Sequence, residues 1–161
     1  MMKKKGVVLL FLLSFFLLVI DQGTKWLVVN QIPYGKSISI FPNFFRLTYV
    51  KNTGAAWSLF MGNQILLIVM TLTVLFFFFL YLYKKESINK FDILIYGGLL
   101  GGIFGNLIDR IRLNYVIDFF DFTIFHYNFP VFNVADIFIV LAGMILIIKI
   151  FKEGDSNVVR K

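Results

Sequence analysis

The chain has no cysteine, one histidine (His126), three prolines, and only 16 basic and nine acidic side chains in 161 residues. Without cysteine there is no disulfide framework, no thiolate nucleophile and no cysteine-based zinc or iron–sulfur site. A single histidine leaves nothing for a multi-histidine metal centre. Charged residues make up 16% of the chain, where an average soluble domain carries about 25%. The hydrophobic share is 59% and the mean hydropathy +0.83, more apolar surface than one water-soluble globule can bury. These figures exclude a soluble enzyme and a disordered chain. They predict an integral membrane protein, so the net charge of +7 reports membrane topology rather than nucleic-acid binding.

A spanning helix needs about 20 mostly apolar residues, and four segments qualify: 7–29, 64–83, 91–111 and 131–151. None alternates in the manner of an outer-membrane barrel strand. The start, MMKKK and an apolar run, is similar to a cleavable secretory signal. However, Asp21-Gln22-Gly23-Thr24-Lys25 lacks a small-x-small cleavage pattern and apolarity resumes at Trp26, which favours an uncleaved first helix. Lys3, Lys4, Lys5, Lys84, Lys85, Lys90, Lys149, Lys152, Arg160 and Lys161 share one side if the spans are even in number. By the positive-inside rule that side is cytoplasmic and holds both termini. The outer side then receives loops 30–63 and 112–130, in which Phe45–Val50 alternates at period two and predicts a short strand. The expected fold is a single-domain (1–161), all-α membrane protein of four transmembrane helices with a small extracytoplasmic β-sheet on the outer membrane surface.

The acids sort unevenly. Glu86, Asp92, Glu153 and Asp155 fall on the cytoplasmic side in ordinary solvated settings, whereas Asp21, Asp109, Asp118, Asp121 and Asp136 fall at the outer helix ends or in the second outer loop. Carboxylates beside apolar spans are costly and mark a partner or a task, so chemistry is expected at the outer membrane–water boundary. Asp21 and Lys25, four apart, share a helix face as an ion pair or as a bundle-facing pair that positions something polar. Asn106, Asp109 and Arg110 share another face. There Asp109 reads as structural neutralisation beside Arg110, whose fork of donors suits an anionic or carbonyl group.

Asp118 and Asp136 are acids in strongly apolar company. If the second outer loop folds back on the fourth helix, they face each other and share one proton, an arrangement suited to aspartic peptidase chemistry. The plainer reading of Asp136 is a first-turn acid favoured by the helix dipole, and spacing alone leaves open whether Asp118 or Asp121 is the loop partner. Nucleophile alternatives are thin. No GxSxG-type elbow accompanies His126 and Ser37, Ser39 or Ser58, and a dyad of Ser58 with Lys25 or Lys51 has no supporting spacing.

Five stretches stand in order: Asp21-Gln-Gly-Thr-Lys25, Asn52-Thr-Gly54-Ala-Ala-Trp57, Gly105-Asn106-Leu-Ile-Asp109-Arg110, Val116-Ile-Asp118-Phe119 and Phe132-Asn133-Val-Ala135-Asp136. Each is weak alone. Together they resemble the bacterial lipoprotein signal peptidase family, signal peptidase II, over nearly the whole chain. Departures are minor: Ile117 for the commoner Val, and Ser58 where Gly usually follows the aromatic residue. The resemblance implies an aspartic peptidase of the bacterial cytoplasmic membrane. Such an enzyme cuts prolipoproteins just before a cysteine that already carries diacylglycerol. It implies that Asp118 and Asp136 are the catalytic pair, that Asp21, Lys25, Asn52, Gly54, Asn106, Asp109, Arg110 and Asn133 support the site, and that no metal or organic cofactor takes part. Partners are then the prolipoprotein substrate and membrane lipid, with no nucleic acid, and the protein is expected to be a monomer. Two rivals are a small proton- or cation-coupled transporter and a non-catalytic structural membrane subunit. Against the first, the candidate acids gather at one end and no paired broken helices are present.

Overall fold

The computed structural model describes residues 2–55 and 59–158, with side chains for 4–55 and 59–151. Ala56, Trp57 and Ser58 of the second motif lie outside the described residues, as do Met1, Arg160 and Lys161. The side chains of Lys3, Lys152, Glu153 and Asp155 also lie outside that description.

Four helices, α1 (Met2–Gln31), α2 (Gln64–Lys84), α3 (Lys90–Leu113) and α4 (Val134–Val158), carry windows long and apolar enough to cross a membrane. They match the four segments read from hydropathy, with ends differing by a few residues. The helix α3 is central: 61% of its apolar window is buried, against 22% or less in the other three. Glycines permit this. A Cβ on Gly97 would meet Leu13 at 2.8 Å on α1, and one on Gly102 would meet the Ala135 carbonyl oxygen at 2.5 Å on α4. Small residues at helix crossings let backbones approach in lipid, where the water-driven hydrophobic effect is missing. The outward faces of α1, α2 and α4 bear exposed apolar side chains such as Phe15, Phe77 and Ile147.

The two connections at one end of the bundle fold into an antiparallel sheet of order β1-β2-β3-β4. Its strands are β1 (Ser37–Phe41), β2 (Phe45–Asn52), β3 (Val116–Ile124) and β4 (Tyr127–Asn128). The alternation at 45–50 is thus a strand. The segment holding Asp118 is not the loop expected: β3 is a nine-residue strand, buried on both faces over 116–119. Because both faces are covered, it lacks the polar alternation that marks a half-exposed strand. A two-residue turn, Phe125-His126, joins β3 to β4, with φ of 48° and 67°. Val28 and Ile32 of α1, Tyr49, Ile117 and Phe119 of the sheet, and Val134 of α4 form one apolar cluster that fixes the sheet on the helix ends.

At the opposite end Asp92 departs from expectation. Instead of a solvated acid it is buried (1% exposed), in a capping box with Asn89 and ion-paired with Lys85 and Lys149. The lysine that buries it arrives from α4, a distance in sequence that local composition does not reveal.

Candidate active site

The site forms where the sheet meets the ends of α1, α3 and α4. Pairing of β2 with β3 puts Asn52 opposite Val116, so Asp118, two residues on, lies diagonally across on the same face. There Asn52 Nδ2 donates to Asp118 Oδ2 at 2.8 Å. An isolated bridge between Phe120 and Phe132 draws the entry to α4 alongside β3. Asn133, the next residue, donates from Nδ2 to Asp118 Oδ1 at 2.6 Å. Both carboxylate oxygens of Asp118 are therefore held by amides.

Asn133 also caps α4. Its Oδ1 accepts from the Asp136 backbone N–H at 3.0 Å, while Asp136 Oδ2 accepts from the Asn133 N–H at 3.1 Å, a reciprocal box that satisfies two helix-end donors. The remaining oxygen, Asp136 Oδ1, accepts from Asn106 Nδ2 at 2.8 Å. Asp136 is thus a first-turn acid and a member of the polar centre at once. The two acids are bridged by Asn133 and by Asn106, whose Oδ1 accepts from Asn133 Nδ2 at 3.1 Å. Asp118 is 2% exposed, and its carboxyl is pushed up to about 7, first by burial and next by the neighbouring charge of Asp136.

Beneath this pair sits a buried cation. Lys25 Nζ reaches Asp21 Oδ2 at 2.8 Å, Asp109 Oδ2 at 2.9 Å and Asn106 Oδ1 at 3.0 Å, so its three hydrogens meet three acceptors. Asp21 Oδ1 accepts from the Ala135 N–H at 2.9 Å and Asp109 Oδ2 accepts from the Ile117 N–H at 3.2 Å. These bonds tie the acids to α4 and β3. Gly105 lets Asp21 approach α3, since a Cβ there would collide with the Asp21 carboxylate. Arg110 donates from Nη2 to the Gly54 carbonyl at 3.3 Å, and its buried Nε has no partner among the described residues.

Residues 13–152 match the family model described as signal peptidase (SPase) II. A lipoprotein signal peptidase of Staphylococcus epidermidis is 37% identical over 157 residues, 98% of each chain. One from Anoxybacillus flavithermus is 38% identical over 149 residues, covering 92% of this chain and 89% of that one. A bacterial membrane enzyme solved by the in meso method at 2.3 Å superposes with a TM-score of 0.84 at 31% identity, over 91% of this chain and 90% of that one. The chain belongs to the signal peptidase II family. It is a multi-pass membrane hydrolase of that family.

Within this signal peptidase, all ten residues singled out from the sequence converge on one region. Asp109 has a structural partner, but it is Lys25 of α1 rather than the adjacent Arg110. The two acids left open as the loop partner have different surroundings. Asp121 lies outside the centre, gripped by Arg46 Nε and Nη2 at 3.0 and 3.1 Å and by Thr48 at 2.6 Å, whereas Asp118 faces Asn133. His126 sits in the β3–β4 turn, among the linings of a groove on the sheet with Arg46 and Asn128. Two glutamines escaped notice. Gln22 Nε2 bonds the Gly105 carbonyl at 3.1 Å and Asp109 Oδ1 at 3.0 Å. Gln64, at the start of α2, donates to the Thr53 carbonyl. Gln22 stands inside the first motif, which was its signal; Gln64 had none.

Proposed function

We propose that this signal peptidase II cleaves the signal peptide from diacylglyceryl-modified prolipoproteins just before the lipidated cysteine, with Asp118 and Asp136 as the catalytic pair. The observation that carries this reading is the amide-bridged pair itself. Among the acids at the sheet end, Asp21 and Asp109 are ion-paired with Lys25 and Asp121 with Arg46, whereas among the described residues Asp118 and Asp136 are hydrogen-bonded only by amide donors, with the Arg110 charge acting on both from nearby. Two neighbouring carboxylates in a dry site hold one proton between them, since ionising both is expensive. The raised carboxyl of Asp118 supports its being the group that keeps that proton.

The chemistry follows from that single proton. The ionised carboxylate accepts a proton from water as the water oxygen bonds to the scissile carbonyl carbon. The protonated partner gives its proton to the carbonyl oxygen, forming a neutral gem-diol. One diol hydroxyl then returns a proton to the now ionised carboxylate while the other carboxyl protonates the amide nitrogen. The C–N bond breaks, releasing the signal peptide as a carboxylic acid and the lipidated cysteine as an amine. The Asn133 and Asn106 amides keep both carboxylates oriented throughout. Arg110 Nε and the Asn52 amide are suited to the backbone carbonyls of an extended substrate, which needs partners at membrane depth.

Both termini are assigned to the cytoplasm of a bacterial inner membrane, with the sheet and site at the extracytoplasmic face, on the strength of the lysines gathered at the opposite end. A substrate helix lying in lipid then presents its cleavage site at the level of the acids. The test is cleavage of a synthetic diacylglyceryl-modified prolipoprotein by the purified protein, read by mass spectrometry. The expected product is a shortened polypeptide that retains its lipid; an untouched substrate, or a cut anywhere but before the cysteine, contradicts the assignment.

A further inference from the structure

At the sheet end, beside the acids and separate from them, a cavity of about 360 Å³ is lined by Thr53, Gly62, Asn63, Gln64, Ile65 and Asn114. It opens where the N-terminus of α2 meets the C-terminus of α3, and its size falls within the range of ligand-binding clefts, about 300–1,000 Å³. Its polar lining is mostly amide. Asn63 caps α2 by accepting from the Leu66 N–H at 3.1 Å, and Asn114 ends α3 in a left-handed conformation with φ of 62°.

Gln64 is the unusual member. It is 9% exposed, its Nε2 donates to the Thr53 carbonyl oxygen, and its Oε1 is buried with no partner among the described residues. The orientation of the amide is fixed, because turning it over would set two oxygens against each other at Thr53. A buried acceptor without a donor is costly, by about 1–3 kcal/mol, and none of the described residues supplies that donor. The Thr53 carbonyl also accepts from the Gly62 N–H at 3.0 Å, which joins two of the lining residues. The next residue, Gly54, offers its carbonyl to Arg110 and its N–H to Asn52, the residue that holds Asp118. Asn52, which holds Asp118, is thus followed directly in sequence by Thr53, which lines the cavity.

We infer that this cavity is a subsite for the mature-side backbone of the substrate, in which Gln64 Oε1 accepts one peptide N–H beyond the cleavage point. The inference rests on the peptidase reading above. The mature side fits because the signal helix leaves into lipid, whereas the cavity lies at the sheet end between helix termini. An amide lining suits a backbone rather than a particular side chain, which is what an enzyme that accepts many different mature sequences requires.

The test is a double-mutant cycle between Gln64→Met and the substrate backbone. A lipidated prolipoprotein substrate is made with single ester-for-amide replacements at successive mature-side positions, each deleting one N–H. With the unaltered protein, one position is expected to lower kcat/KM by about 3- to 10-fold, the worth of one hydrogen bond. With Gln64→Met that same position loses its penalty: the variant's ratio of ester to all-amide kcat/KM is expected to be near one, whatever loss of the Thr53 brace does to its absolute rate, and its thermal transition certifies its fold. Equal losses by the variant on every substrate confine Gln64 to bracing Thr53 and overturn the subsite, as does the absence of any position-specific ester effect. Failure of the unaltered protein to cut the all-amide substrate instead sinks the peptidase reading itself.

Discussion

At the scale of single residues, the site separates buried charges that hold structure from those proposed to react. Lys25 belongs to the first kind. Removing its ammonium strands Asp21 and Asp109, both nearly inaccessible, without a counter-charge. Breaking one partner of a buried ion network costs about 3–5 kcal/mol, so Lys25→Met is expected to lower the thermal unfolding midpoint sharply in detergent; an unchanged midpoint contradicts the role. Asp118 is of the second kind, and its raised carboxyl has a definite consequence for pH. Between the ordinary value of 3.8 and about 7 the folded protein holds a proton that the unfolded chain releases. Stability contributed by this group is therefore complete below that window and declines as pH rises through it. Asp118→Asn removes the titrating group, so its unfolding midpoint is expected to stay flat between about pH 5 and 8, where that of the unaltered protein falls, while activity is lost. Loss of the shared proton likewise sets an alkaline limb on the cleavage rate near pH 7. A rate that keeps rising to pH 9 argues against it. Such exchange of stability for function is common where carboxylates are kept dry for chemistry.

At the scale of elements, the helices were the most legible part, because a run of apolar residues long enough to cross lipid has few other uses. The β2 strand was legible for a similar reason, its period-two pattern. The β3 strand was not: Val116 to Phe119 is buried on both faces, so only Asp118 interrupts an otherwise apolar run. Asp92 and Gln64 misled or escaped notice because their settings are made by residues brought from other elements, Lys149 and the Thr53 carbonyl. The glycines of α3 were legible as close packing and now have named neighbours. A side chain on Gly102 must displace the Ala135 carbonyl and Ile139, on the turn of α4 that carries Asp136. Gly102→Leu is expected to destabilise by about 1–3 kcal/mol through overpacking and to lower kcat more than it raises KM, since it pushes Asp136 rather than substrate. Wild-type kinetics in that variant contradict the coupling.

At the scale of the whole molecule, all ten site residues named from the sequence meet at one end of one bundle, although they are scattered from 21 to 136. Motif order made their grouping legible. The bonds among them were not legible, because Asn133 and Asn106 each serve two partners that only folding brings together. The molecule can be read as a four-helix frame that presents two carboxylates at the boundary between lipid and water, with the sheet closing over them. The most direct measurement is turnover of a diacylglyceryl-modified prolipoprotein by purified Asp118→Asn and Asp136→Asn, each first shown to be folded by its thermal transition. Both are expected to lose at least about 100-fold in kcat, the lower range for removing positioned acid–base catalysis. Turnover near the unaltered rate by either folded variant contradicts a two-carboxylate mechanism.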